Sequence, residues 1–240
     1  MNEKKTQLQK GIAQLRTHFL VMCATVGIAV DEACIALTTG NIGRAGAVVD
    51  GDAAVDALEN EIDEMALSLL ARYQPVAYDL RFIVGTLRMV IDLERIGDEA
   101  VSIAERAIIL HELLPEPVLS AVGRLMGTAI ANYRKAVEAF RAADTGQALD
   151  ICRSEDETTQ MEVAALHRIM DCFCSGGGRD GGESYMGMHG ILICRSLTRI
   201  CRRLSNIAEQ TYFIAEGVNI KHVPLVVGGK QHETSHFERH

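Results

Sequence analysis

At 240 residues, 48% apolar and 23% charged, the chain is long enough to bury a substantial core and too hydrophobic to stay disordered. Four prolines, no tryptophan and only eleven Phe or Tyr residues argue against a long all-β chain. A formal net charge of −8 argues against a nucleic-acid phosphate backbone as partner.

The negative charge belongs to one half. Residues 1–117 hold 10 Lys or Arg against 18 Asp or Glu, whereas residues 118–240 hold 14 of each. Met1–Lys10 is polar with no long apolar leader after it, and the uncharged run Thr17–Val30 is too short to span a bilayer, so a cytoplasmic protein is expected. Seven cysteines at irregular spacing predict reduced, mostly buried thiols.

In chain order the dominant period is helical. Leu8, Ile12, Leu15, Phe19, Met22 and Val26 mark a first helix, which Thr38–Gly43 interrupts. Val55, Leu58, Ile62, Met65 and Leu69 mark a second, stopped at Gln74-Pro75 because proline cannot continue a helix. Leu87, Ile91, Val101 and Ile108 lie near one line of a third. Pro115 and Pro117 mark a boundary, and three further helices are expected over 118–144, 147–173 and 186–217. Ser175–Gly182 reads as a loop, Gly217 as a helix stop, and Pro224 with Gly228-Gly229 opens a polar tail. The fold class is all-α: two tandem three-helix bundles, six long helices, over 1–114 and 118–222, with a tail at 223–240.

The halves look like copies. Leu93–Glu105 and Leu197–Glu209 share six of 13 residues at an offset of 104, which also carries Asp52 onto Asp156 and Asp56 onto Gln160. Duplication of a three-helix unit accounts for this.

The chemistry concentrates in acids. Between Ala45 and Ala71 there is no Lys or Arg, and Asp52, Asp56, Glu59 and Asp63 form one stripe bordering the apolar one. In the third helix, Asp92 and Glu99 each follow an arginine by four residues (Arg88 and Arg95), and that face reads as solvated and internally paired. Glu94 and Asp98 instead align with Leu87, Ile91 and Val101, on or beside the face expected to enter the bundle. Carboxylates there must be protonated, paired with cations or bound to a metal, because stripping water from an ion is expensive. Oxygen ligation suits magnesium, calcium, manganese or iron. A solvated acidic face with cross-helix salt bridges is the competing reading.

Other signals carry less. His232-Glu-Thr-Ser-His236 matches HExxH but follows a glycine pair and lacks the buried helix and third ligand a zinc protease needs. Gly176–Gly181 matches GxGxxG with no strand before it. Cys172, Cys174, Cys194 and Cys201 cluster in the second half and read as small buried hydrophobes rather than a soft-metal site. No helical Glu-x-x-His pair of the di-iron type is present.

Asp52-Ala-Ala-Val-Asp56-Ala-Leu-Glu59, Gln74-Pro-Val-Ala-Tyr-Asp-Leu-Arg81, Asp92-Leu-Glu-Arg-Ile-Gly-Asp98, Asn206-Ile-Ala-Glu209 and Glu216-Gly217 together resemble the phosphate-uptake regulator family, PhoU, over roughly residues 5–222. The resemblance implies two three-helix repeats, each with an acidic E(D)xxxD motif on two helices that binds metal. Carried over, the metal ligands are Asp52, Asp56, Glu94 and Asp98, with Glu59 from the same stripe, and the ion is iron, manganese, magnesium or zinc. Asp79 lies too far along its helix to join them. The second repeat departs from the pattern: Asp156, Gln160, Thr198 and Arg202 occupy the shifted positions. No acidic cluster is expected there, and Arg202 is expected to pair with Asp156.

The resemblance further implies a non-enzymatic cytoplasmic regulator of phosphate uptake and of the phosphate-starvation response. Such a protein acts by contact with the ATPase subunit of a phosphate ABC transporter and with a sensor histidine kinase, as a homodimer, with no nucleic-acid partner. A carboxylate-bridged metalloenzyme and a metal-free helical scaffold are the alternatives.

Overall fold

The computed structural model describes residues 2–110, 114–174 and 181–221. Among these there is no strand. The helices are α1 (Asn2–Thr39), α2 (Ile42–Tyr73), α3 (Ala77–Leu110), α4 (Glu116–Ala142), α5 (Thr145–Arg153), α6 (Glu155–Cys174) and α7 (Gly181–Glu216). Both histidine-rich and glycine-rich motifs set aside above, apart from Gly181, lie outside the described residues.

The breaks follow local chemistry. Gly40 takes the left-handed conformation (φ 65°) after α1, and the Asn41 side chain then caps α2 by accepting from the Arg44 amide. Gln74 turns left-handed before Pro75, its N–H reaching back to the Leu70 carbonyl. Gly217 (φ 75°) closes α7, donating to the Phe213 carbonyl.

The expected fifth helix is divided. Ser154 sits between α5 and α6, where its hydroxyl donates to the Ile151 carbonyl (2.7 Å) and accepts from Asn132 Nδ2 (3.2 Å) on α4. A serine that bonds backward and to a neighbouring helix competes with the regular ladder, so one long helix becomes two.

α1, α2 and α3 pack on one another as the first bundle, and α4, α5, α6 and α7 form the second. The apolar stripe of α1 from Leu8 to Val26 is buried throughout. This corrects the length argument made for residues 17–30. They lie within the helix Glu3–Thr39, which contains an 18-residue stretch long and apolar enough, by length and composition, to cross a membrane. Here the helix is instead a core element, contacting α2, α3 and α4.

The two bundles join chiefly through α3 and α7. Gly85 makes the close approach feasible: a Cβ there would fall 2.7 Å from the Ile214 side chain. The second contact is α1 with α4, where the buried Tyr133 hydroxyl donates to the Cys23 carbonyl (2.6 Å). Tyr133→Phe removes this bond while the Cys23 carbonyl keeps its partner in the α1 ladder, and should cost about 0.5–1 kcal/mol, read from urea unfolding.

The core face of α3 is turned relative to expectation. Phe82, Ile83, Met89, Val90, Leu93, Ile96 and Ile103 are buried, whereas Ile91 is 50% exposed and Leu87, Val101 and Ile108 lie on the flank. Of the face read as solvated, Asp92 and Glu99 are covered by α7, whereas Arg88 and Arg95 are exposed. Of the cysteines read as a buried cluster, Cys194 and Cys201 are buried, with burial pushing both thiols up to about 12, whereas Cys172 is half-buried.

Candidate metal centre

α2 and α3 cross where Val55 meets Gly97. Val55 is buried, and a Cβ added at Gly97 would sit 3.5 Å from its Cγ1, an ordinary van der Waals contact. The acids flank the crossing in matching register. Asp52 and Asp56 stand three residues before and one after Val55; Glu94 and Asp98 stand three before and one after Gly97. Glu59 lies one helical turn beyond Asp56.

Electrostatics tie the five into one seam. Burial raises the Asp52 carboxyl above its ordinary range, and the charges of Asp56 and Asp98 raise it further. Glu94 is raised by burial, then by Asp98 and Glu59, with Arg95 opposing. Glu59 is raised by burial, then by Asp63, Asp56 and Asp98, again against Arg95. Asp52, Glu59 and Glu94 are half-buried; Asp56 and Asp98 are exposed. Among the described residues none of the five lies in ion-pair contact with a Lys, Arg or His.

Such an all-oxygen, net-negative donor set suits a hard cation. No three of the described His, Cys, Asp or Glu side chains are already gathered into a ligand set, so closure on an ion would need rotamer changes of these partly solvated side chains. Asp79 plays a different part: in the first turn of α3, it accepts from Gln9 Nε2 (3.0 Å) on α1.

In the second repeat Arg202 pairs with Glu155 (3.6 Å) rather than with Asp156. The shift by one residue follows the break at Ser154, which starts α6 at Glu155 and puts that carboxylate in its first turn. Thr198 is buried and donates to the Cys194 carbonyl (3.0 Å). Val163, at the position of Glu59, is 51% exposed.

Sequence reasoning missed a polar clasp on the opposite side of α3. Asp92 is buried and accepts from Arg203 (3.1 Å) and Asn206 (3.0 Å), both on α7. Glu99 pairs with Arg199 (3.2 Å), and Arg88 donates to Gln210 (3.4 Å). The readable signal was complementarity: Arg199, Arg203 and Asn206 recur at i, i+4, i+7 in α7, matching acids spaced along α3.

A PhoU domain model matches residues 19–107 and again 122–211, one span for each bundle. The chain belongs to the PhoU family. Two relatives illustrate the range: the "phosphate-specific transport system accessory protein PhoU homolog" of Pseudomonas putida is 33% identical, covering 91% of this chain and 84% of the relative. Its Thermotoga maritima counterpart, PhoU homolog 1, is 28% identical over 89% of this chain and 90% of the relative. The crystal structure of PhoU from Pseudomonas aeruginosa superposes with a TM-score of 0.82 at 31% identity, covering 88% of this chain and 99% of that one. PhoU from Streptococcus pneumoniae shares the fold (TM-score 0.79, 20% identity) over 88% of this chain and 98% of that one. The PhoU fold here thus carries an acidic seam in its first repeat and a degenerate counterpart in its second.

Proposed function

We propose that this PhoU-family chain is a non-enzymatic cytoplasmic regulator of phosphate uptake. It acts by contact with the ATPase subunit of a phosphate ABC transporter and with the sensor histidine kinase of the starvation response, as a homodimer. The observation that carries this reading is the double PhoU match, together with likeness over about nine-tenths of this chain to proteins named as accessory proteins of the phosphate-specific transport system. The seam supports a metal-binding regulator. Asp52, Asp56, Glu59, Glu94 and Asp98 would hold a cation such as iron, manganese, magnesium or zinc, which would supply the positive charge that lets the carboxylates crowd together. It would thereby hold α2 against α3 beside the Val55–Gly97 crossing. Nothing in that role requires turnover.

The test is co-purification with the transporter's ATPase subunit. The immobilised full chain is expected to retain it, and to retain less after chelation. No retention with metal present, or retention indifferent to chelation, would overturn the contact reading or the metal's part in it respectively.

A further inference from the structure

Between the first half of α1 and the last third of α2 lies a cleft of about 440 Å³. A close contact creates it. A Cβ at Gly11 would collide with the Leu69 side chain, so the two helices touch there and the cleft opens alongside. Buried Leu69 and half-buried Met65 supply its apolar lining.

The rest of the lining is polar. Gln7, Lys10 and Gln14 recur at i, i+3, i+7 on α1, and α2 adds Ser68, Arg72 and Tyr73. All six side chains can donate hydrogen bonds, and two of them carry a full positive charge. None of the six makes a side-chain hydrogen bond or ion pair with another described residue, unlike Gln9 and Arg16 nearby. Glu64 is the one carboxylate in the lining, set against two cations.

The cleft is separate from the acidic seam. Ser68 follows Glu59 by nine residues, half a turn away around α2 at about 100° per residue. Ser68 therefore fronts α1, while Glu59 feels Asp98 of α3.

Unspent donors and two cations select an anion. A phosphate monoester brings nearly two negative charges and three strong acceptor oxygens at neutral pH. That matches Lys10 and Arg72 in charge and gives several donors a partner at once. Glu64 cannot meet an anion, but it can accept from hydroxyl groups on the body of the same ligand. The volume suits a small molecule, whose pockets span about 300–1,000 Å³. We propose that this cleft binds a phosphorylated sugar, either free or as part of a nucleotide. Its phosphoryl group would lie between Lys10 and Arg72, with its hydroxyls toward Glu64.

The test is equilibrium dialysis of the full chain, as purified, against ribose 5-phosphate, AMP, ribose and succinate. Ribose 5-phosphate and AMP should bind saturably, and ribose and succinate at least about tenfold more weakly. Tighter binding of AMP assigns the cleft to nucleotides; equal or weaker binding assigns it to free sugar phosphates. Added salt should weaken the interaction, and so should lowering the pH below about 6, where the phosphate takes up its second proton. Lys10 and Arg72 are exposed, so Lys10→Gln with Arg72→Gln should leave Tm unchanged while weakening ribose 5-phosphate at least about tenfold. Glu64→Gln should weaken ribose 5-phosphate without weakening inorganic phosphate. Glu94→Ala with Asp98→Ala should leave the affinity unchanged, which separates this cleft from phosphate held by a cation in the seam. Absence of saturable binding, succinate binding as tightly as ribose 5-phosphate, or unchanged affinity in the Lys10/Arg72 variant would overturn the assignment. So would loss of binding in the Glu94/Asp98 variant.

Discussion

Replacing Glu94 and Asp98 together with alanine is expected to lower the metal that co-purifies with the chain at least tenfold, read by elemental analysis after gentle purification. It should also abolish the rise in Tm that added metal gives the wild type. A cation that binds only the folded state stabilises it by about 4 kcal/mol at a thousandfold excess over Kd, about 10 °C for a chain of this length. The metal-free proteins should rank the other way. Asp52, Glu59 and Glu94 have carboxyls raised by burial and mutual repulsion, so the folded seam binds protons more tightly than the unfolded chain. The stability this contributes is complete below the ordinary carboxylate range and is lost as pH rises through the raised folded values. Metal-free wild type should therefore lose stability as pH climbs out of the carboxylate range toward neutrality, and the double variant should lose less. With metal present the slope reverses, because ligands must shed protons to bind. Equal metal content in the two proteins, or parallel pH profiles without metal, would remove the seam from the account.

The second large effect concerns stability alone. Asp92→Ala should cost about 2–3 kcal/mol, because Asp92 is buried and accepts charge-assisted bonds from both Arg203 and Asn206. Arg203→Ala should cost less, since the Arg203 side chain is 37% exposed and its partner keeps Asn206. A double-mutant cycle between the two positions should show coupling within about 0.5–3 kcal/mol. Additive losses would mean that the pair is only proximal. Because the clasp lies between bundles, the loss should appear as a lower urea midpoint for the whole chain rather than an early separate transition.

The fold was legible wherever period and punctuation agreed. The α1 stripe, the Thr38–Gly43 break, the Gln74-Pro75 stop and the Gly217 stop all stand where the residues place them, because apolar spacing and left-handed glycines act locally. Ser154 was not legible as a break, since its effect depends on Asn132 of another helix. The α3 face was misread for a related reason. Arg88, Asp92, Arg95 and Glu99 satisfy an i, i+4 pattern that looks self-sufficient, yet Arg88, Asp92 and Glu99 take their partners from α7. The acids that build the seam were readable from the cation-free stretch of α2 and from Glu94 and Asp98. Their common register about Val55 and Gly97 was not, since it needs the crossing point.

α3 works on two sides at once. One edge carries Glu94 and Asp98, while another holds Asp92 and Glu99 against α7, with Gly85 letting the backbones close in. A helix anchored on both sides behaves as a strut: it cannot roll to suit one neighbour without dragging the other. Opening the halves at their junction would therefore cost the Asp92 and Glu99 contacts and the packing at Gly85 together.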